Sequence, residues 1–254
     1  MKIFYFSSTG NSLYVSKFLK ENFDNCEIIS MSGKFSKDEE FEVNDDVIGF
    51  VYPVHYAGMA IVAEEFVSKL KIRKDAYVFA IGVTGGGNAD VSFYQLNKLL
   101  EGKNKISNYC TVKYISNYLR MGRNPSGERA KSSIEANKNI LQDFVQSIKK
   151  KHIKEFKAKK SFGMLEVNLV KKYFKNRDKN FNVNDSCVGC NMCKKVCPIE
   201  NIEMEDKKPV WKGKCVDCMA CINICPQNAI NIGTKTIKKN RYLNPYIKRE
   251  ELIK

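Results

Sequence analysis

The stretch "KIFYFSSTGNS", residues 2–12, decides the fold. Residues 2–6 form a short apolar run that reads as a buried strand. Ser7, Ser8, Thr9, Gly10, Asn11 and Ser12 follow as a hydroxyl-rich turn. Residues 12–23 then place Leu13, Val15, Phe18 and Leu19 near helical spacing. Backbone N–H groups at the start of a helix, with hydroxyl donors beside them, make an anion cradle. No Gly-Lys-Ser/Thr follows, so the P-loop pattern is absent, and no G-x-G-x-x-G occurs.

The same alternation continues downstream. Strands are predicted at 26–30, 46–52, 76–82 and 109–115, with helices at 61–70 and 90–102 between them. After Pro125, Ser126 can cap a long helix reaching about residue 150, with Ile134, Leu141, Val145 and Ile148 on one face. Strands alternating with helices imply parallel βαβ units. Residues 1–150 are therefore expected to form an α/β domain, a doubly wound five-stranded parallel sheet whose ligand sits at the carboxyl ends of the strands.

A second signal lies in the cysteines. Eight of the ten fall between Cys187 and Cys225. "CVGCNMCKKVCP" places Cys187, Cys190, Cys193 and Cys197 before Pro198, and "CVDCMACINICP" places Cys215, Cys218, Cys221 and Cys225 before Pro226. Both follow C-x₂-C-x₂-C-x₃-C-P, and the two copies are related by a shift of 28 residues that also matches Ile202 with Ile230. Three thiolates at intervals of three can reach three irons of one cubane, while the fourth leads into a segment that turns away at proline toward the other half. One cluster is then expected on Cys187, Cys190, Cys193 and Cys225, the other on Cys215, Cys218, Cys221 and Cys197. Structural zinc usually pairs two C-x-x-C units, often with His, and no histidine follows His152. Cys26 and Cys110 lie outside the motifs. The stretch "NIEMEDKKPVWKGKC" between the copies is where a hairpin is expected, with Trp211 packed beside a cluster.

By these residues, positions 181–235 resemble the bacterial two-cluster ferredoxins, a small α+β domain. The strand–STGNS–helix opening resembles the flavodoxin family. That resemblance implies FMN, with its phosphate on the 7–12 turn. It also implies flavin-flanking loops after the third strand (Pro53, Val54, His55, Tyr56) and after the fourth (Thr84, Gly85, Gly86, Gly87, Asn88). The "SNYL" loop after the fifth strand supplies Asn117 and Tyr118, and Tyr94 is another candidate aromatic. Over residues 1–235 the order of motifs resembles a bacterial family of flavodoxin–ferredoxin fusions. It implies two 4Fe-4S clusters and FMN in an electron-transfer protein that serves a partner oxidoreductase. A self-contained flavin-dependent reductase, with His55 as a candidate proton donor, is the alternative. A redox sensor that uses the clusters structurally is a third reading.

The chain carries 43 Lys+Arg against 28 Asp+Glu, a formal +15. The excess concentrates in a basic, partly helical connector at 151–180, with 10 basic and 3 acidic residues, and in a tail at 236–254, with 6 and 2. Cluster and phosphate charge would offset part of it, so no nucleic-acid partner is expected and an acidic redox partner is. In the connector, Phe162, Leu165, Leu169, Val170 and Tyr173 are expected to form one apolar packing stripe. The tail shows no motif, and its Lys and Arg read as solvated surface. No apolar run approaches a membrane span and no signal-peptide core is present, so a cytoplasmic location is expected.

Overall fold

The computed structural model describes residues 1–33, 41–155, 163–174 and 176–253. In chain order the first half comprises β1 (Lys2–Tyr5), α1 (Asn11–Glu21), β2 (Glu27–Ser30), β3 (Phe41–Val43), β4 (Val47–His55), β5 (Gly58–Met59), α2 (Ile61–Ser68), β6 (Leu70–Ile72), β7 (Tyr77–Thr84), α3 (Asp90–Leu99) and β8 (Asn108–Lys113). The main sheet runs β2-β1-β4-β7-β8, all parallel, with β5 turned back antiparallel on β4. Counting only the five parallel strands, this is the 2-1-3-4-5 order of flavodoxin-like sheets, whose switch point lies between β1 and β4.

Because neighbouring residues of a strand face opposite ways, Ile3 and Phe4 enter different cores. Phe4 joins Phe50, Tyr52, Phe66, Phe93 and Leu96 beneath α2 and α3. Ile3 joins Val15, Leu19, Phe79, Ile134, Leu141 and Val145 on the other face. β7 is buried along its whole length, as a central strand covered on both sides must be.

The helix expected from Ser126 to about 150 is two helices, α4 (Gly127–Glu135) and α5 (Lys138–Lys149). The Ser126 hydroxyl does cap the first, accepting from Arg129 N–H at 3.4 Å. The break falls at Asn137, whose side chain accepts from Lys113 N–H at 3.0 Å and donates to Lys113 O at 2.8 Å. Asn137 is thus committed to the end of β8, and the helix divides around it.

α6 (Gly163–Phe174) follows, then β9 (Phe181–Val183), α7 (Met192–Val196), β10 (Ile202–Glu205), β11 (Lys208–Trp211), α8 (Ala220–Ile224) and β12 (Ile230–Ile232). β9 pairs antiparallel with β12, and β10 with β11, giving the expected hairpin and a small ferredoxin-like region around the cysteines. The sequence repeat is also a backbone repeat. Gly189 and Asp217, Asn191 and Met219, and Glu200 and Asn228 stand 28 residues apart, and all six have positive φ.

The connector stripe needs correction. Leu169 and Tyr173 are exposed, while Val167 and Lys171 are buried. Phe162 and the side chain of Leu165 lie outside the described residues. The buried face is selected by specific partners rather than by apolarity alone. Lys171 Nζ pairs with Glu64 at 2.7 Å and donates to Gln95 Oε1 at 3.3 Å. Arg177 covers the exposed Tyr173 ring at 3.8 Å. In the tail, Lys238 and Lys248 are exposed as expected, but Arg241 is half-buried, and Thr236, Tyr242, Asn244 and Ile247 between and around them are buried. Among the described residues, no helix is long and apolar enough to cross a membrane.

Candidate functional site

The carboxyl ends of β1, β4, β7 and β8 open into a cavity of about 890 Å³. Ser7, Ser8, Thr9, Asn11 and Ser12 line it, with Pro53, Val54, His55 and Tyr56, then Thr84, Gly85, Gly86, Gly87 and Asn88, then Asn117 and Tyr118. The structure therefore brings all four predicted turns together. Among the predicted residues of the four turns, Gly10 alone does not line the cavity. It precedes α1 with φ 97°, and its Cα faces away, toward Asn244 and Ile247. Tyr94 does not reach the cavity either.

The first turn is built for an anion. Ser7 Oγ accepts from Gly10 N–H at 3.1 Å, closing the turn ahead of α1. Thr9 Oγ1 is joined to Asn117 Nδ2 at 2.6 Å, tying this turn to the one after β8. Ser8 Oγ and Ser12 Oγ are buried with no hydrogen-bond partner in the structure. Two buried hydroxyls without partners beside a helix N-terminus fit a phosphate, since unsatisfied buried polar groups are otherwise costly.

The turn after β4 is a two-residue hairpin loop in which Tyr56 and Ala57 both have positive φ, 52° and 65°. That geometry usually selects Asn or Gly, and strain of this kind gathers at functional sites. At Gly85 a Cβ would lie 2.7 Å from Ser116 Cα, so the turns after β7 and β8 touch only because that side chain is missing. His55 is held as neutral imidazole, its pKa lowered to about 4 by burial and then by the Lys171 charge. A group neutral at pH 7 is a poor proton donor there, which weighs against an acid role for His55.

Tyr56 and Tyr118 meet edge to face, 5.6 Å between ring centres, with their hydroxyls hydrogen-bonded. Both hydroxyls also lie within hydrogen-bond reach of Asp217 Oδ2, Tyr56 at 3.0 Å, so two phenol protons are shared among three contacts. The other carboxylate oxygen takes Arg120 Nε at 2.8 Å and a second guanidinium nitrogen at 2.7 Å. Burial beside the Asp217 charge pushes both phenol pKa values upward. Asp217 itself lies inside the second cysteine motif, at the position Gly189 holds in the first, with φ 54°.

Asp217, Cys218 and Met219 line the 890 Å³ cavity, as do Val170 of α6, Met121 and Arg123. Reading the sequence did not find these. Their motifs advertise a metal or nothing, and only packing brings them to the loop side of the sheet.

The eight motif cysteines surround two further cavities. Cys187, Cys190, Cys193 and Cys225 line one, and Cys197, Cys215, Cys218 and Cys221 the other. Each thus draws three cysteines from one copy and one from the other. Asn201 N–H and Ala229 N–H, equivalent positions of the repeat, donate to Cys197 Sγ and Cys225 Sγ, each at 3.3 Å. Asp217 N–H donates to Cys215 Sγ at 3.3 Å. Burial, then neighbouring sulfur, pushes the Cys193 thiol up to about 12, and Cys215 reaches about 12 through burial and the Asp217 charge. Thiols so placed deprotonate only with compensating positive charge, which iron supplies. Trp211, stacked on Phe181 at 5.2 Å, lines the second tetrad, and its buried indole N–H has no partner in the structure. Among the described residues no group of three or more His, Cys, Asp or Glu converges to hold a single metal ion.

Residues 186–230 match the 4Fe-4S dicluster domain family. The dicluster match takes in all eight motif cysteines. No curated protein matches the chain. Among solved structures, it resembles a flavoprotein in complex with FMN from Lactobacillus acidophilus NCFM (13% identity, 43% of this chain and 91% of that one, TM-score 0.36). It also resembles an FMN-dependent NADH-azoreductase from Bacillus anthracis in complex with FMN (10%, 57% and 100%, TM-score 0.36). A third is the rubredoxin:oxygen oxidoreductase of Desulfovibrio gigas (15%, 59% and 36%, TM-score 0.35). The flavodoxin-like assignment rests on the strand order rather than on these likenesses.

Proposed function

We propose that this chain passes electrons between a partner protein and FMN through two 4Fe-4S clusters. Clusters exchange single electrons and FMN takes one or two, so the set converts between the two kinds of redox chemistry. Cys187, Cys190, Cys193 and Cys225 would hold one cluster, and Cys197, Cys215, Cys218 and Cys221 the other. The Ser7–Ser12 turn would hold the flavin phosphate, and the turns after β4, β7 and β8 its ring system. On this reading residues 1–150 are a flavin unit and residues 181–235 a cluster unit, joined by the connector at 151–180.

One observation carries the reading. Cys218 lines both the second cysteine cavity and the cavity formed by the four turns. A cluster ligand in the wall of the flavin site leaves no intervening protein layer. The residues around it fix and dry that wall: Asp217 is 1% exposed and Arg120 9%. The first tetrad faces outward, with Cys190 exposed and Val188 64% exposed beside it. It is the natural place for a partner to dock, and exposed Lys194, Lys195 and Lys207 favour an acidic one.

Anaerobically purified protein should carry about eight iron and eight sulfide per chain and release FMN on denaturation. Stoichiometric zinc, or iron without any flavin affinity, overturns the reading.

A further inference from the structure

The segment after β12 ties the cysteine region to the phosphate turn. Arg241 anchors it on the cysteine side, donating to Ile230 O at 2.9 Å and Asn231 Oδ1 at 2.8 Å. Tyr242 then reaches both ways. Its backbone N–H donates to Asn223 Oδ1 of α8 at 2.9 Å, and its phenol donates to Asn11 Oδ1 at 2.6 Å. Asn244 Nδ2 donates to the same Asn11 oxygen at 3.0 Å, and Asn244 N–H to Thr9 O at 2.8 Å. Tyr242 is 3% and Asn244 1% exposed. The fit is close enough that a Cβ on Gly10 would stand 2.9 Å from Asn244 Cβ and 3.1 Å from Ile247 Cβ.

The chemistry of the amide gives these contacts a purpose. An asparagine side chain has an oxygen that only accepts and a nitrogen that only donates. Two donors converge on the oxygen of Asn11, so its nitrogen is the end left for the cavity that Asn11 lines. An anion requires donors. The hold on Thr9 O likewise fixes the peptide that leads into Gly10 and α1.

We propose that residues 241–247 are a strap that shapes the phosphate end of the cavity, with Tyr242 and Asn244 as positioning residues that turn the Asn11 amide nitrogen toward a phosphate monoester. This rests on the flavin reading of the cavity. The strap's hydrogen bonds to the site given above all go to Thr9 and Asn11 of the phosphate turn, so its effect belongs to ligands that carry a phosphate.

The test compares FMN with riboflavin, which lacks the phosphate, on the full cluster-loaded chain by equilibrium dialysis. Losing one hydrogen bond to the turn should weaken FMN about fivefold in Tyr242→Phe, and losing both about thirtyfold in Tyr242→Phe/Asn244→Ala. Riboflavin affinity should stay within about twofold and iron content should not change. Unchanged FMN affinity in Tyr242→Phe, or equal losses for FMN and riboflavin, overturns the strap. Should the double variant fail to fold, the single phenol deletion still decides the matter. Wild-type protein that binds FMN no better than riboflavin refutes the phosphate reading and the strap with it. Wild type that prefers FMN, with Tyr242→Phe preferring it equally, refutes the strap alone.

Discussion

The Asp217 carboxylate meets the Arg120 guanidinium at 2.7 Å, with only 1% of one side chain and 9% of the other exposed. It joins the turn after β8 to the second cysteine motif. Removing one partner of such a pair leaves an uncompensated buried charge, which costs roughly 3–5 kcal/mol. Asp217→Ala would strand Arg120 and two phenols together. It should lower the anaerobic thermal midpoint far more than Arg73→Ala, whose partners Asp46 and Asp75 are more than 70% exposed. Equal midpoints for the two variants would remove Asp217 from the structural core of the site.

Cluster wiring can be read by deleting one sulfur. Cys197→Ser should disturb the cluster on Cys215, Cys218 and Cys221, although Cys197 belongs to the other copy of the motif. Electron paramagnetic resonance of the reduced protein, compared with Cys187→Ser and Cys215→Ser, tells which cluster is altered. A Cys197→Ser signature like that of Cys187→Ser would mean each copy ligates its own cluster. Cys26→Ala and Cys110→Ala should leave both signals intact.

Ser8 and Ser12 offer a second check on the phosphate turn, independent of the strap. Their hydroxyls are buried without partners, and charge-assisted bonds to phosphate are the stronger kind. Ser12→Ala should weaken FMN roughly tenfold, about 1.4 kcal/mol, while stability holds or rises because an unsatisfied group has gone. Tight FMN binding in Ser8→Ala/Ser12→Ala would place the phosphate elsewhere.

His55 gives a pH signature. Its folded pKa, about 4, lies below the ordinary value of 6.5, so protonation favours the unfolded chain. The fold loses stability as pH falls from about 6.5 toward 4 and has none of this penalty above 6.5. In the flavin-free protein the imidazole resonances, assigned by their loss in His55→Gln, should stay in the neutral position from pH 8 down to about 5.5. Titration near 6.5 would show the ring to be solvated.

Much of this architecture is legible because its signals are local. A short apolar run, a hydroxyl turn and a helical stripe each occupy a few residues, and the strand order then puts the turns after β1, β4, β7 and β8 at one end. The cysteine spacing is equally self-contained. What escaped reading depends on contacts between distant segments. Val167 and Lys171 hide the buried face of α6 because Glu64 and Gln95 wait for the lysine; no apolar stripe announces that. Asn137 divides a helix because β8 needs its amide. Tyr242 and Asn244 sit among lysines and arginines that look like solvated surface, and only the fold reveals Asn11 opposite them. Asp217 stands where the other repeat copy has glycine, a departure visible in the sequence whose meaning depends on Arg120.

The mixed parentage of the two cysteine cavities bears on how the protein is made. A nascent chain emerges from its N-terminus, and domains generally fold as units as they appear. The parallel sheet is complete once β8 is out. Neither cysteine cavity can close at that stage, and the first cysteine copy cannot finish either one after it emerges. Cys187, Cys190 and Cys193 wait for Cys225, and Cys197 waits for Cys215, Cys218 and Cys221. Iron delivered early would meet three thiolates and an open side. On the proposed ligation the second tetrad is complete once Cys221 has emerged and the first once Cys225 has, so the layout would defer metal loading of either site until the second copy leaves the ribosome.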